Sequence, residues 1–294
     1  MKASDHISGL LALSREHAAA CLAAEFEASD DRMTAADGAG RYVVSGAVAV
    51  VPLRGIITPN NAILEKYLGW TTSHGLAETM ETLSSDRSVA AIVVESDSPG
   101  GVVLGGEAAV QAVSMAAKVK PVHALVNPLS ASLAYWIASQ ATDIAMTPGS
   151  LVGSIGAMFS APSPVQPGVS GDQWFDMRSS HAVGKNADPA DETGAALIQA
   201  RLDDIEARFH RDVSAGRGID LADLPTRLSA DTDPTHGGGV FETAQAVERG
   251  LVDQVETRSA FYQRIMAAYA PKSKPTSRAL SATAKARAAT LIAG

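Results

Sequence analysis

The chain contains very little cysteine. Its 294 residues include one, Cys21, so no disulfide can form within the chain. This excludes a small secreted domain held together by disulfides, and it suits a reducing compartment. Cys21 also lacks the electropositive surroundings that a reactive thiolate needs, and we interpret it as a packing residue.

Positive charge is scarce as well. The chain has 24 Lys and Arg against 32 Asp and Glu, which gives a formal net charge of −8. A protein that holds nucleic acid needs a basic surface that attracts phosphates, and this composition does not provide one. We therefore expect no nucleic-acid partner, and a protein or peptide partner fits better.

Aromatic residues make up only 5% of the chain, against 46% hydrophobic residues and 25 glycines. This composition is typical of a globular protein packed largely from Ala, Val, Leu and Gly. No run of about 18 apolar residues is free of charges and turn residues. Residues 1–30 also lack the uninterrupted apolar core of a signal peptide. We expect a soluble cytoplasmic protein without a membrane anchor.

Signatures of metal and phosphate binding are missing too. No two histidines or cysteines have the spacing of a metal-ligand pair. The stretch Gly149–Ser154 is not followed by the lysine of a phosphate-binding loop. We therefore expect neither a metal site nor a cofactor.

Strands and helices alternate at short intervals through the middle of the chain. The apolar, β-branched runs predict strands, and the runs of helical periodicity between them predict helices. The predicted strands are Val48–Leu53, Val89–Ser96, Val122–Val126 and Ile144–Met146, and the predicted helices include Gly106–Ala117, Ser132–Thr142 and 192–215. This alternation predicts an α/β fold with a mainly parallel sheet and flanking helices. Active sites of such sheets lie at the carboxyl ends of the strands.

The chain divides into three regions by composition. In residues 1–40, apolar residues at helical spacing from Leu10 to Ala23 predict an N-terminal helix followed by a linker. Residues 41–258 are expected to form one catalytic domain. Residues 259–294 predict the end of a helix and a flexible tail, and the Pro- and Gly-rich residues 160–173 predict a mobile loop.

Two loops at predicted strand ends carry residues suited to catalysis. Ser98-Pro99-Gly100-Gly101 follows one strand, and its glycines could present backbone N–H groups to a substrate or form only a tight turn. Ser132 begins a helix after the next strand, where free N–H groups suit a nucleophile. Ser130 or Ser132 could equally be an ordinary helix N-cap.

A nucleophilic serine needs a base. None of the seven histidines stands in a recognisable triad, and His123, within an apolar strand, is interpreted as a packed core residue. A buried lysine can serve instead, because burial lowers its pKa. Lys185 is the candidate, with the nearby His181 in reserve; by itself Lys185 could equally be a solvated surface residue.

The order of these motifs resembles the family of signal peptide peptidase A and the phage head-maturation proteases, a branch of the Clp protease and crotonase superfamily. The resemblance covers about residues 45–256. It is carried by three motifs, namely Asp97-Ser98-Pro99-Gly100-Gly101, Ala131-Ser132-Leu133-Ala134-Tyr135-Trp136 and Gly153-Ser154-Ile155-Gly156.

The resemblance implies a Clp protease/crotonase-like stacked ββα spiral with Ser132 as nucleophile. It also implies Lys185 as general base, since this is the only lysine between residues 121 and 271. Ser154 would orient that lysine, and the turn with Gly100 and Gly101 would form the oxyanion hole, with the amides of Gly101 and Leu133 as donors. Two features depart from the family pattern. Leu133 replaces a small residue, and the residues before Lys185 do not have the commoner Gly-Lys-x-Lys form.

The resemblance further implies a serine endopeptidase that works through a Ser/Lys dyad. Without a membrane anchor, the phage prohead or capsid maturation protease is the favoured comparison, with a scaffold or capsid protein as substrate. A homo-oligomer is expected, in the bacterial or infected cytoplasm or within the prohead. The alternatives are a cytoplasmic signal-peptide-peptidase-like protease, a crotonase-like acyl-CoA enzyme, and a non-catalytic capsid scaffold protein.

Overall fold

A computed structural model describes residue 2, residues 10–25 and 40–159, residues 179, 182 and 184, and residues 187–270. Lys185, His181, the whole predicted mobile loop 160–173, most of the predicted N-terminal linker and the tail after residue 270 lie outside the described residues. The strands are β1 Leu10–Leu13, β2 Val43–Ser45, β3 Val48–Arg54, β4 Ala91–Ser98, β5 Gly100–Val102, β6 Val122–Ala131, β7 Asp143–Met146, β8 Leu151–Gly153, β9 Met158–Phe159, β10 Val240–Glu242 and β11 Gln254–Val255. The helices are α1 Arg15–Leu22, α2 Ala62–Leu68, α3 Ser73–Ser85, α4 Gly106–Val119, α5 Leu133–Ala138, α6 Glu192–Arg217, α7 Leu224–Leu228, α8 Thr243–Glu248 and α9 Arg258–Ala268.

The larger sheet has β3, β4, β6 and β8 side by side and parallel. The first half of β6 also pairs in parallel with β7, and β7 pairs in parallel with β11. Antiparallel strands lie only at its edges, where β2 pairs with β3 and β10 with β8. Strands buried on both faces need apolar residues throughout, which is why β3 and β4 read as continuous runs in the sequence. The predicted α/β class with a mainly parallel sheet is confirmed.

Helices cover both faces of this sheet. The main hydrophobic core includes the buried apolar residues of α3, α4 and α5 packed on β4 and β6. A smaller core on another side packs Phe261 and Ile265 of α9 against Val93 and Leu125. This three-layer arrangement removes the apolar surface of the sheet from water and fixes the carboxyl ends of its strands.

A second, three-stranded sheet has the order β5-β1-β9, and both pairings of β1 are antiparallel. The prediction of a helix that includes Leu10–Leu13 is therefore wrong, because this stretch is a strand and α1 starts only at Arg15. A short apolar run fits helix and strand almost equally well by spacing. Here the unpaired backbone groups of β5 and β9 decide the outcome, since a strand between them satisfies both edges.

Two boundaries around the candidate nucleophile also differ from the prediction. The strand expected to end at Val126 continues to Ala131, through the cis Asn127–Pro128 peptide and a register shift opposite Ser96 and Asp97. Because a proline usually ends a central strand, the sequence predicts the end of this strand before Pro128. The helix expected to run from Ser132 to Thr142 ends at Ala138.

A half-buried carboxylate ties the sheet to α9. Glu95 on β4 accepts hydrogen bonds from Asn127 of β6 (3.0 Å), from Arg258 (2.6 and 2.9 Å) and from Tyr262 (2.7 Å). Burial alone would raise the pKa of Glu95, but these donors outweigh it and hold the pKa at about 2. The folded protein therefore stabilises the ionised Glu95 carboxylate more strongly than the unfolded chain does.

We expect Glu95→Gln to lower the free energy of unfolding by about 2 kcal/mol at pH 7, because a charge-assisted network is lost. The folded pKa lies below the usual value of 4.5, so this stability is present above pH 4.5 and disappears as the pH falls toward 2. Urea unfolding at several pH values measures the difference between wild type and variant. Glu81→Gln, at an exposed position of α3, is the control. An equal loss in both variants, or a loss independent of pH, would contradict this account.

Candidate active site

Two serines lie side by side at the carboxyl edge of the larger sheet. β6 ends at Ala131 and the parallel β8 ends at Gly153, and these two residues are register partners. Ser132 and Ser154 follow them directly, and the Ser132 N–H donates a hydrogen bond of 2.7 Å to the Gly153 carbonyl. The fold thus joins two of the three motifs at the edge where parallel sheets place their active sites.

Both serines have strained backbones. Ser132 and Ser154 each have φ = 53°, and among the described residues no other non-glycine residue has a positive φ. Such a conformation costs on the order of 1–3 kcal/mol and persists only where the surroundings impose it. A sharp strand-to-helix turn of this kind carries the nucleophile of α/β-hydrolases. Ser132 itself is only 1% exposed, although it borders the cavity described below.

The alternative that Ser132 is only an N-cap has little support. Ser132 does precede α5, but its ψ is −122° and its side chain makes no capping hydrogen bond to the helix. An ordinary N-cap has an extended backbone and accepts a bond from the first turn. Ser130, the other candidate cap, is buried within β6.

The first turn of α5 is anchored by two aromatic residues. The Tyr135 hydroxyl donates to the Leu251 carbonyl (2.8 Å), and the Trp136 indole N–H donates to Asp212 (2.8 Å). The Trp136 ring also stacks on Phe209, with centroids 4.4 Å apart and planes within 8°. These contacts fix the helix start and so maintain the strained turn at Ser132.

The glycine turn lies against Ser132, as the motif order predicts. Gly100 has φ = 102°, and a Cβ at that position would be 2.9 Å from the Ser132 Cβ. A Cβ at Gly101 would be 2.0 Å from the Ile57 carbonyl oxygen. Only glycine fits at either place, because the backbone itself must approach the serine and the neighbouring strand.

The backbone amides near Ser132 differ in their availability. The Gly100 N–H donates to the Ser98 hydroxyl (3.2 Å), so it is already engaged. The Leu133 N–H belongs to the first turn of α5, where amides have no partner within the helix. Gly101 pairs with Ala12 of β1, so its N–H meets a backbone carbonyl and not a side chain of its own turn. Gly101 and Leu133 are therefore the amides suited to hold the carbonyl oxygen of a bound segment. The larger Leu133 side chain fits because it packs against Gly106. A Cβ at Gly106 would be only 2.9 Å from the Leu133 Cδ atoms.

A cavity of about 630 Å³ opens beside the two serines. It is lined by Leu13, Ser132, Ser154–Met158, Glu206, His210, Pro225, Leu228, Pro234, Thr235, Gly237 and Gly238. The sequence did not single out His210. Burial lowers the pKa of His210, an effect that the nearby Glu206 partly offsets. A half-buried imidazole that is neutral at pH 7 is a possible second base.

The structure assembles five of the six predicted site residues. Ser132, Ser154, Gly100, Gly101 and Leu133 meet at one edge of the sheet, as described above. Lys185 and the reserve candidate His181 lie outside the described residues. His123 is confirmed as a packed residue: it is 8% exposed, near the start of β6, and bonded to Asp143 and Tyr269.

The described ranges contain neither a metal-binding cluster nor a membrane-spanning helix. Within them, no three His, Cys, Asp or Glu side chains are grouped so that they could hold a metal ion. In the same part of the chain, no helix combines the length and apolar character needed to cross a membrane.

Comparison with known families identifies the class of this chain. Residues 114–270, more than half of the chain, match the model of peptidase family S49. The chain therefore belongs to peptidase family S49, which confirms the predicted family and its peptidase class.

Curated relatives include both phage and bacterial proteases. The chain is 27% identical over 223 residues to "Capsid assembly protease C" of Escherichia phage lambda, covering 73% of this chain and 47% of the relative. It is 28% identical over 221 residues to "Head-tail preconnector protein GP5" of Enterobacteria phage P21, covering 73% and 42%. It is 27% identical over 234 residues to "Protease 4" of Haemophilus influenzae, covering 77% and 35%. The chain thus spans less than half the length of these relatives.

Two solved structures are similar to the chain at low sequence identity. One is an enoyl-CoA hydratase/isomerase family member, with a TM-score of 0.43, 15% identity and coverage of 77% of this chain and 72% of that one. Another is a ClpP1 mutant from Listeria monocytogenes, with a TM-score of 0.44, 12% identity and coverage of 76% and 95%.

The strain at Ser132 leads to a stability prediction. Ser132→Gly and Ser132→Ala both remove the hydroxyl, but only the glycine variant relieves the positive φ. We expect Ser132→Gly to be more stable than Ser132→Ala by about 1 kcal/mol, measured by urea unfolding. Ser130→Gly, in the extended part of β6, should instead be less stable than Ser130→Ala. A Ser132→Gly variant that unfolds at lower urea than Ser132→Ala would contradict the proposed strain.

Proposed function

We propose that the chain is a serine endopeptidase in which Ser132 is the nucleophile and Lys185 is the general base. One observation carries the proposal. Ser132 stands in a strained turn at the end of a central parallel strand, with Ser154 on one side and the Gly100–Gly101 turn on the other. Two strained serines and paired glycines at one sheet edge favour acyl transfer over a binding function.

The reaction would proceed through an acyl-enzyme. Lys185, kept neutral by burial, takes the proton from the Ser132 hydroxyl as the oxygen attacks the substrate carbonyl carbon. The amides of Gly101 and Leu133 hold the oxyanion that forms. The C–N bond then breaks, the proton passes to the leaving amine, and water hydrolyses the ester to restore Ser132. The Ser154 hydroxyl would accept a hydrogen bond from the lysine and hold it toward Ser132.

The proposed substrate is a protein of phage head assembly, scaffold or capsid. This extension rests on the phage relatives, whose names refer to capsid assembly and to the head-tail preconnector. The net charge of −8 also favours a protein over a nucleic-acid partner. We place the enzyme in the infected bacterial cytoplasm or the prohead, as a homo-oligomer. A bacterial enzyme similar to "Protease 4" is the second candidate, favoured by the match to the Haemophilus protein.

The dyad can be tested by reaction with a fluorophosphonate, followed to completion by intact mass. The wild type should gain one adduct. Ser132→Ala should gain none, and Lys185→Met should react at least about 1,000-fold more slowly, because an unassisted serine is a weak nucleophile at neutral pH. Peptide mapping places the adduct on Ser132.

His210→Asn is the matched control for the base, because His210 lines the same cavity. It should react within about tenfold of the wild type. Loss of reaction in His210→Asn with Lys185→Met unaffected would make the histidine the base. A wild type without any adduct would favour a non-catalytic scaffold protein. Turnover of an acyl-CoA thioester that survives Ser132→Ala would favour the crotonase-like alternative.

A further inference from the structure

The three-stranded sheet described above lies beside the candidate nucleophile. One outer strand, β5, contains both glycines of the oxyanion turn, and the other, β9, follows the Ser154 turn along the chain. The middle strand, β1, comes from a segment far away in sequence. Its register sets Leu13 opposite Gly100, Ala12 opposite Gly101 and Leu11 opposite Val102, with Leu11 also opposite Met158.

Hydrogen bonds place one carbonyl of β1 at the oxyanion amide. The Ser14 N–H donates to the Pro99 carbonyl (2.8 Å), and the Val103 N–H donates to the Leu10 carbonyl (3.0 Å). Bonded pairs alternate with non-bonded pairs along an antiparallel ladder. Ala12 and Gly101 stand midway between these two bonded pairs, so they form a bonded pair as well. The Gly101 N–H therefore faces the Ala12 carbonyl oxygen.

The same carbonyl lies beside Ser132. A Cβ built on Gly100 would be 2.3 Å from the Ala12 carbonyl oxygen and 2.9 Å from the Ser132 Cβ. The peptide group that follows Ala12 and the serine side chain thus touch the same face of Gly100. The next residue, Leu13, lines the cavity that also contains Ser132, Ser154 and His210.

Side-chain packing holds β1 in this place. Ala12 is fully buried, and Leu11 and Leu13 are 8% and 6% exposed. The two leucines pack with residues of the chain body, in a cluster that includes Ile56, Leu64, Trp70 and Val102. The strand is therefore bound by backbone pairing on both edges and by two apolar anchors, as an extended peptide is bound when it adds to a sheet.

We infer that residues 10–14 occupy the substrate groove of their own chain, with the Ala12–Leu13 peptide at the place of the bond that is cut. A protein substrate must displace this strand before Ser132 can act on it. The groove so defined takes an extended segment with a small residue before the cut bond, since Ala12 is enclosed completely. This inference rests on the proposed function, because it names the occupant and regulation of the same site.

The test compares fluorophosphonate labelling rates in the full chain. Ala12→Arg puts a long charged side chain at the enclosed position and should expel β1. Ala19→Arg makes the same change at an exposed position of α1 in the same segment and is the matched control. Leu13→Ala, which removes only one apolar anchor, is a milder second variant in case Ala12→Arg fails to fold. Far-ultraviolet circular dichroism verifies the folding of each variant.

We expect Ala12→Arg to be labelled at least about tenfold faster than the wild type and Ala19→Arg, because only chains with an open groove react. Leu13→Ala should fall in between. Intact mass is read before labelling, and a wild type already cut between Ala12 and Leu13, with Ser132→Ala uncut, would support the same placement. An uncut wild type that is labelled as fast as Ala12→Arg and Leu13→Ala would overturn the inference. Absence of labelling in every variant would count against the serine peptidase itself.

Discussion

The site depends on the parallel pairing of β6 with β8. That pairing sets Ala131 beside Gly153, and the hydrogen bond from the Ser132 N–H to the Gly153 carbonyl continues it by one residue. Two residues distant in sequence, Ser132 and Ser154, are thereby brought together with similar strained backbones. The pairing in turn requires β6 to continue past Pro128, so the length of one central strand determines where the candidate nucleophile stands.

The strained turn is stable because its surroundings are rigid. The Tyr135 hydroxyl and the Trp136 indole bind acceptors on two different segments, Leu251 and Asp212 of α6, and both side chains are fully buried. In the part of the chain that the structure describes, Ser132 and Ser154 alone among non-glycine residues have a positive φ. Such strain in a tightly packed site is typical of a preorganised active centre. The same rigidity leaves β5 with a fixed edge, and β1 pairs with that edge beside Ser132. The geometry at Ser132 and the position of β1 in the groove beside it therefore both depend on this rigid packing.

The sequence predicted the local motifs and the fold class better than the long-range contacts. Continuous apolar runs such as Val48–Leu53 identify strands buried on both faces, and Ser132 and the paired glycines were recognisable from motif order. The strand at Leu10–Leu13 was missed, because its partners are distant and its spacing fits a helix equally well. His210 was missed because an amphipathic helix pattern does not reveal which of its polar residues border a cavity.

An experimental structure of the fluorophosphonate adduct tests the central claim most directly. The account predicts phosphorus bonded to the Ser132 Oγ, its oxygen within hydrogen-bond distance of the Gly101 and Leu133 amides, and the Lys185 Nζ in contact with Ser132 and Ser154. β1 should be displaced from β5 in that structure. An adduct on another residue, or Lys185 remote from Ser132 with no lysine of a neighbouring subunit in its place, would contradict the account.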